Sequence, residues 1–147
     1  ENGAYVMPAW RGERFTDNGN GTVRDNMTGL IWLKNANCYD RRTWETALLL
    51  ASILADGSCG LSDGSASGNW RLPNLNELHS LIDLSQSAPA MPAGHSFIDV
   101  QTGVYWSSTT STPNRRNIAW NVYLYTGGVY DGYKTFTNYV WPVRGGQ

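Results

Sequence analysis

Histidine, cysteine and lysine are scarce in this sequence. Its 147 residues include two histidines, His79 and His95, two cysteines, and lysine only at Lys34 and Lys134. Neither histidine lies in a recognisable motif with a nucleophilic serine or cysteine, and no zinc-ligand spacing is present. We therefore expect a protein that is not an enzyme, binds no metal and uses no cofactor.

Strong net charge and long apolar runs are also absent. The formal net charge is −1, which provides no general attraction to nucleic acid or to an anionic membrane. No apolar run approaches the roughly 18 residues that a membrane-spanning helix needs. The charge is uneven, however, because residues 1–103 carry a net −4 and residues 104–147 a net +3. We expect no nucleic-acid partner and no membrane span, and an anionic ligand would favour the C-terminal part.

The two cysteines, Cys38 and Cys59, predict a disulfide. An even pair far from any metal-ligand partner is typical of an exported protein. The bond would close a loop of about 20 residues and stabilise the fold by roughly 3 kcal/mol through restriction of the unfolded chain. The alternative is a pair of independent buried thiols in a cytosolic protein.

The hydrophobic patterning predicts one α+β domain over residues 1–147, of which residues 1–13 form an N-terminal extension. Residues 43–55 have helical spacing with Thr43 as N-cap. A second helix is expected over residues 75–84, where Asn74 and Glu77 form a capping box. Short strands joined by Asn-Gly turns precede the helices. An antiparallel β-meander is expected after them, in the runs 104–108, 118–125, 129–136 and 139–144.

The C-terminal segment, residues 105–147, is rich in tyrosine. It holds six of the eight tyrosines and three of the seven tryptophans. Within residues 118–125 alternation predicts a buried face of Ile118, Trp120, Val122 and Leu124, and an outward face of Ala119, Asn121, Tyr123 and Tyr125. A two-residue turn at Gly127 and Gly128 would set Tyr125 opposite Tyr130 and Asn121 opposite Lys134.

Outward tyrosine and asparagine side chains combine large contact area with hydrogen-bonding groups, which suits adhesion. Arginine side chains in the preceding loop suit pairing with sulfate or carboxylate groups. The alternative is ordinary β-structure with solvated tyrosines and a solvated arginine pair. The predicted ligand-binding residues are Arg115, Arg116, Asn117, Asn121, Tyr123, Tyr125, Tyr130, Tyr133, Lys134, Asn138 and Tyr139.

Residues 17–25 are rich in the oxygen ligands that calcium prefers. Asp17, Asn18, Asn20 and Asp25 are similar to the ligands of a calcium loop, but the regular spacing and the bidentate glutamate of an EF-hand are absent. Asn and Asp side chains in tight turns explain the composition without an ion. Both interpretations remain open from the sequence.

Five phrases in order along the chain carry a specific resemblance. They are residues 14–32 (RFTDNGNGTVRDNMTGLIW), 43–48 (TWETAL), 69–78 (NWRLPNLNEL), 105–110 (YWSSTT) and 143–146 (VRGG). Together they resemble the Lcl C-terminal domain family, the module that ends a bacterial collagen-like adhesin. Within these phrases Trp32, Trp44, Trp70 and Trp106 are interpreted as core aromatics. Arg71 and Arg144 are interpreted as framework residues, with Arg71 donating to backbone carbonyls of neighbouring loops.

The resemblance implies a C-type-lectin-like or formylglycine-generating-enzyme-like fold and an extracellular, bacterial-surface setting. In the collagen-like adhesin the ligand class is sulfated glycosaminoglycan and the domain is a trimer, which implies a glycan or cell-surface partner and a homo-oligomer. No cysteine follows Cys59, so the activity of formylglycine-generating enzymes is not expected. The Glu-Pro-Asn and Trp-Asn-Asp triplets of calcium-dependent lectins are also absent, so glycan binding would need no calcium.

The leading hypothesis is an exported, non-enzymatic adhesion module that recognises polysaccharide or a cell surface through its C-terminal β-meander. The second is a structural assembly or tip module whose tyrosine face is buried between subunits. The third is a receptor domain with a diversified C-terminal segment.

Overall fold

The computed structural model describes residues 13–145, so residues 1–12 of the predicted N-terminal extension lie outside the described part. This part contains nine strands and two helices, which confirms the α+β class. The strands are β1 (Phe15–Asp17), β2 (Thr22–Asp25), β3 (Ile31–Leu33), β4 (Arg41–Arg42), β5 (Val104–Thr110), β6 (Ile118–Tyr123), β7 (Gly128–Tyr133), β8 (Asn138–Tyr139) and β9 (Val143–Arg144). The helices are α1 (Trp44–Ile53) and α2 (Leu75–His79).

The strands form two sheets, ordered β1-β2-β3-β9 and β4-β8-β5-β6-β7. Strands β5, β6 and β7 are the expected antiparallel meander. Strand β8 does not continue it, because it lies on the other side of β5 and pairs with β5 in parallel. Pro142 separates β8 from β9, and at this point the chain passes from the second sheet to the first.

Both helices begin where the sequence predicts. Helix α1 follows Thr43, although the Thr43 side chain caps no backbone N–H. Helix α2 has the full capping box, in which Asn74 accepts from the Glu77 N–H and Glu77 accepts from the Asn74 N–H. It ends five residues before the predicted boundary. The hydroxyl of Ser80 donates to the Glu77 carbonyl at 2.6 Å and the following N–H groups bond three residues back, so the chain tightens into 3₁₀-type turns.

The core has two parts, one on each side of the second sheet. Three of the four predicted core tryptophans, Trp32, Trp70 and Trp106, are fully buried, whereas Trp44 is half-buried. The larger cluster holds Trp32, Trp70 and Trp141. In the smaller cluster, Ala47 and Ala51 of α1 pack against the second sheet. The sheet contributes Trp106 and Ala119 to this cluster. Strands β5 and β6 are therefore covered on both faces.

Three ion pairs tie loops to the helices and sheets. Asp25, whose side chain is fully buried, accepts from the Arg14 Nε and Nη2 at 2.9 and 2.8 Å. Arg71 binds both carboxylate oxygens of Glu77 and also donates to the Gly145 carbonyl, which confirms its predicted contact with backbone. The third pair joins Arg144 to Asp63.

The predicted disulfide is confirmed. Cys38 and Cys59 are joined, with their Cα atoms 5.7 Å apart and 21 residues apart in sequence. The bond links the loop after β3 to the loop after α1. Beside it, the backbone of Gly21 packs directly on the backbone of Gly60, so that a side chain at position 21 would overlap Gly60.

The carboxylates of the three ion pairs described above predict a loss of stability in acid. Burial alone raises the pKa of Asp25, Asp63 and Glu77, but hydrogen bonds and the nearby arginine charges outweigh it, so each pKa lies below its ordinary value. A lowered folded-state pKa gives stability that is present above the unfolded-state pKa, about 4, and is lost as pH falls through the folded-state value. We expect the urea midpoint to fall steadily from about pH 5 to pH 2 and to change little from pH 6 to pH 8. A midpoint that is flat or rises in acid would contradict this.

Candidate binding face

The predicted ligand-binding residues fall into separate groups in the structure. Tyr123, Tyr125 and Tyr130 lie together near the tip of the β6–β7 hairpin. Arg115, Arg116 and Asn117 lie in the exposed loop before β6, and Tyr133 and Lys134 at the end of β7. Asn138 and Tyr139 are in β8, which β5 and β6 separate from β7.

The hairpin has a different register from the predicted one. Asn121 is opposite Tyr130 rather than Lys134, and Tyr123 is opposite Gly128. The connection is not a two-residue Gly-Gly turn but a longer loop of residues 124–127, closed by a bond from the Gly127 N–H to the Tyr123 carbonyl. The loop is wider because Gly127 packs against Ile82 and Leu84. In addition, the carbonyls of residues 124 and 125 accept from the N–H groups of Ala90 and Ala88, respectively.

The outward assignment of Asn121 and Ala119 is wrong. Asn121 is 4% exposed and Ala119 is fully buried. The register places Trp106, Asn121 and Tyr130 in one row across β5, β6 and β7, on the sheet face that α1 partly covers. The Asn121 carboxamide makes no hydrogen bond to the described residues, and its Oδ1 is buried without a partner.

Tyr123, Tyr125 and Tyr130 form a packed but accessible group. The rings of Tyr123 and Tyr125 are stacked at 5.9 Å, and Tyr130 meets Tyr123 edge-on at 6.4 Å. Tyr125 is 48% and Tyr130 55% exposed. Gly128 makes this arrangement possible, because a Cβ there would lie 2.6 Å from the Tyr130 ring. We call the side of β6 and β7 that carries Asn121, Tyr123, Gly128, Tyr130 and Gly132 the aromatic face.

A second aromatic pair borders this face, and the sequence analysis missed half of it. Phe136 is 54% exposed and meets Tyr133 edge-on at 5.5 Å. Its ring lies over Gly132, where a Cβ would be 3.3 Å from the ring and 3.5 Å from the Asn121 Nδ2. The sequence does contain a signal for aromatic rings on this face. Glycines stand at positions 128 and 132, on either side of Tyr130, and each leaves room for a ring above the strand.

Lys134 is already engaged within the protein. Its ammonium lies 3.9 Å from the centre of the Trp44 ring and donates to the Thr110 hydroxyl at 3.0 Å. A cation over a tryptophan ring is held by the ring's negative face. Lys134 therefore fixes the end of β7 against the start of α1 and is only partly available to an anionic ligand.

The arginine loop lies off the aromatic face. Arg115 approaches Asp131 at 3.5 Å, and Asp131 pairs with Trp120, so alternation places it on the sheet side opposite Tyr130. The Arg116 Nε donates to the Pro113 carbonyl within its own loop. The tyrosines and the arginines are thus two surfaces and not one composite site.

Asn138 and Tyr139 are half-buried and take part in packing. The Tyr139 ring lies 5.3 Å from that of Tyr105 and touches Gly103, while Arg41 approaches its other side. Distance along the sheet separates both residues from the aromatic face.

The carboxylates of the oxygen-rich turns are paired with cations of the protein itself. Asp17 accepts from the Lys34 ammonium at 2.7 Å, and Asp25 from Arg14. Asn20 accepts from the N–H and hydroxyl of Thr22. Across residues 13–145, no group of three or more His, Cys, Asp or Glu side chains is placed to hold a metal ion.

The histidines lie apart from any nucleophile in the described part of the chain. His79 is exposed at the end of α2. His95 is half-buried, which lowers its pKa, and its Nδ1 accepts from the Phe97 N–H at 3.2 Å.

A groove of about 760 Å³ lies between α1 and the start of α2. Leu48, Leu49 and Leu72 line it together with the Arg71–Glu77 pair. Arg71 already binds Glu77 and Gly145, so the charges of this pair are engaged within the protein.

The comparisons with known proteins agree with the framework described above. The chain belongs to the Lcl C-terminal domain family, which it matches over residues 21–144. No curated protein matches the chain. Neither helix found in residues 13–145 is long and apolar enough to cross a membrane.

Proposed function

We propose that this domain is an exported, non-enzymatic binding module that attaches to a polysaccharide or a cell-surface partner through its aromatic face. Membership of the Lcl C-terminal domain family supports a module of this type. The Cys38–Cys59 disulfide supports an oxidising, extracellular location. A C-type-lectin-like arrangement of the two sheets and two helices is part of the same proposal.

One observation carries the proposal. Tyr123, Tyr125 and Tyr130 form one contiguous group at the tip of a hairpin, with two of the rings about half exposed. Exposed, mutually supported tyrosines provide a rigid contact area with phenol groups for hydrogen bonds.

We expect Tyr130→Ala to lower affinity for the ligand about tenfold, which corresponds to about 1.4 kcal/mol for the loss of an aromatic anchor. The measurement is binding to a glycan array and to a heparin column, followed by titration of the best ligand.

Val129→Ala is the matched control. Val129 lies next to Tyr130 on the same strand, is 39% exposed against 55% for Tyr130, and pairs with Val122 on the opposite side of the sheet. Arg115→Ala/Arg116→Ala tests the loop as a separate surface. Equal losses in Tyr130→Ala and Val129→Ala, or a loss only in the arginine variant, would contradict binding at the aromatic face.

A second candidate function is assembly with further copies of the chain. It is favoured by the position of β7 at the edge of its sheet, where Val129, Tyr130 and Tyr133 are all exposed. An open strand edge with apolar side chains favours pairing with another chain. Sedimentation over a range of concentrations distinguishes the two functions, because a monomer at every concentration excludes the assembly.

A further inference from the structure

Asn121 is buried on the aromatic face, and its carboxamide has no hydrogen-bond partner among residues 13–145. The residue is 4% exposed, and its Oδ1 is fully buried without a hydrogen bond. A buried polar group without a hydrogen bond destabilises a fold, and such groups are uncommon in native proteins. Leucine has nearly the same shape and would fill the position without an unpaired group. Packing therefore does not explain an asparagine here, and its Oδ1 is free to accept a hydrogen bond from a group outside residues 13–145.

The surroundings of Asn121 are arranged as a recess. The missing side chain of Gly132 leaves the Asn121 Nδ2 beneath the exposed ring of Phe136, and Tyr130 stands next to Asn121 across the hairpin. Rotation of Phe136 away from Gly132 would open a path to the carboxamide. Because neither end of the amide bonds to any of residues 13–145, it can present its oxygen or its nitrogen to an incoming hydroxyl.

The charges around this recess indicate which ligand fits. On this side of β7 the charged side chain is Lys134, which is held on Trp44 and Thr110. Arg115 and Asp131 lie on the opposite side and approach each other. A sulfated or carboxylated polymer would find no free arginine fork here. A neutral ring with C–H groups on one face and hydroxyls at its edge matches an aromatic wall beside an amide.

We propose that the aromatic face binds a neutral hexopyranose unit of a polysaccharide, stacked against the Tyr130 ring and hydrogen-bonded through a hydroxyl to the Asn121 carboxamide. This inference rests on the proposed function, whose site it uses, and specifies the ligand as neutral rather than anionic. Asn121 makes the site selective for sugars with a hydroxyl at the contacted position, because a site that hydrogen-bonds a hydroxyl rejects analogues that lack this group.

The experiment compares neutral and anionic glycans at two salt concentrations. The probes are cellohexaose, maltohexaose, mannohexaose, galactohexaose and heparin, titrated into the wild-type domain in low and in high sodium chloride. We expect at least one neutral hexasaccharide to bind, with an affinity that salt changes by less than about twofold, since no counterions are released.

The decisive variant is Asn121→Leu, and Val129→Ala on the opposite side of β7 is the control, which should bind like the wild type. We expect Asn121→Leu to weaken binding of the neutral hexasaccharide about tenfold. The same change should raise the thermal midpoint by about 2 to 4 °C, because an unpaired buried amide is removed. A purely structural asparagine would give a lower midpoint, and that result would overturn the role of the carboxamide.

The outcomes separate this inference from the proposed function. Binding to heparin alone, lost in Tyr130→Ala and strongly weakened by salt, would overturn the neutral ligand while keeping the aromatic face as the site. Unchanged affinity in Asn121→Leu would overturn the amide contact. Failure to bind every glycan, together with a monomer that adheres to no cell surface, would overturn the proposed function itself.

Discussion

Asp25→Ala is expected to destabilise the domain by about 3–5 kcal/mol, because it leaves the Arg14 guanidinium largely buried without its counter-ion. The Asp25 side chain is fully buried, and it receives two bonds from Arg14 and one from the Met27 N–H. Arg14 also donates to the Ser80 carbonyl at 2.7 Å, so the pair links the β1–β2 hairpin to the end of α2. A loss of this size is a large fraction of the 5–15 kcal/mol that is typical of a folded domain.

Urea denaturation measures the effect, and Asp17→Ala provides the matched control. Asp17 lies in the same hairpin and pairs with Lys34 at 2.7 Å, but both side chains are exposed to solvent. Exposed ion pairs contribute little, so the Asp17→Ala midpoint should remain close to that of the wild type. The double variant Arg14→Met/Asp25→Leu should recover part of the loss, since it leaves no unpaired charge. Similar midpoints for Asp25→Ala and Asp17→Ala would refute the prediction.

Removal of the disulfide is expected to cost about 3 kcal/mol, because the bond restricts the unfolded chain over a loop of this length. Cys38 and Cys59 are 21 residues apart, and all of α1 lies between them. The variant Cys38→Ala/Cys59→Ala should show a correspondingly lower urea midpoint.

Dithiothreitol gives an independent check on the same bond. It should lower the midpoint of the wild type to about that of Cys38→Ala/Cys59→Ala and leave the variant unchanged. Because the predicted effect acts through the unfolded state, the circular dichroism spectra of the folded wild type and the folded variant should agree before urea is added. Equal midpoints for wild type and variant without reductant would show that the bond contributes nothing.

Local signals in the sequence predicted local structure well. The capping box of Asn74 and Glu77 fixed the start of α2, because it depends on residues three apart. Ser80 ended that helix early, since a hydroxyl that bonds a nearby carbonyl competes with the helical pattern. The disulfide followed from an even pair of cysteines, with no knowledge of the fold required.

The surface of the C-terminal segment follows from the sequence only in outline. The tyrosine-rich segment was recognised, but alternation in residues 118–125 was interpreted as one buried and one exposed face. In the structure α1 packs against the second face at Ala119, and Asn121 on the same face is buried as well. The register of the hairpin depends on contacts of Gly127 with Ile82 and Leu84, some 40 residues away in sequence. Rules that predict a turn from its own residues do not include such contacts.

The sequence by itself determined the α+β class, the family, the disulfide and the enrichment of tyrosine near the C-terminal end. These follow from composition and from spacing over a few residues. The tertiary structure alone decided that the arginines and tyrosines lie on separate surfaces, that Phe136 joins the aromatic side chains, and that Asn121 is buried without a partner. Each of these depends on which strands pair and what covers them, and therefore on contacts between residues far apart in the chain.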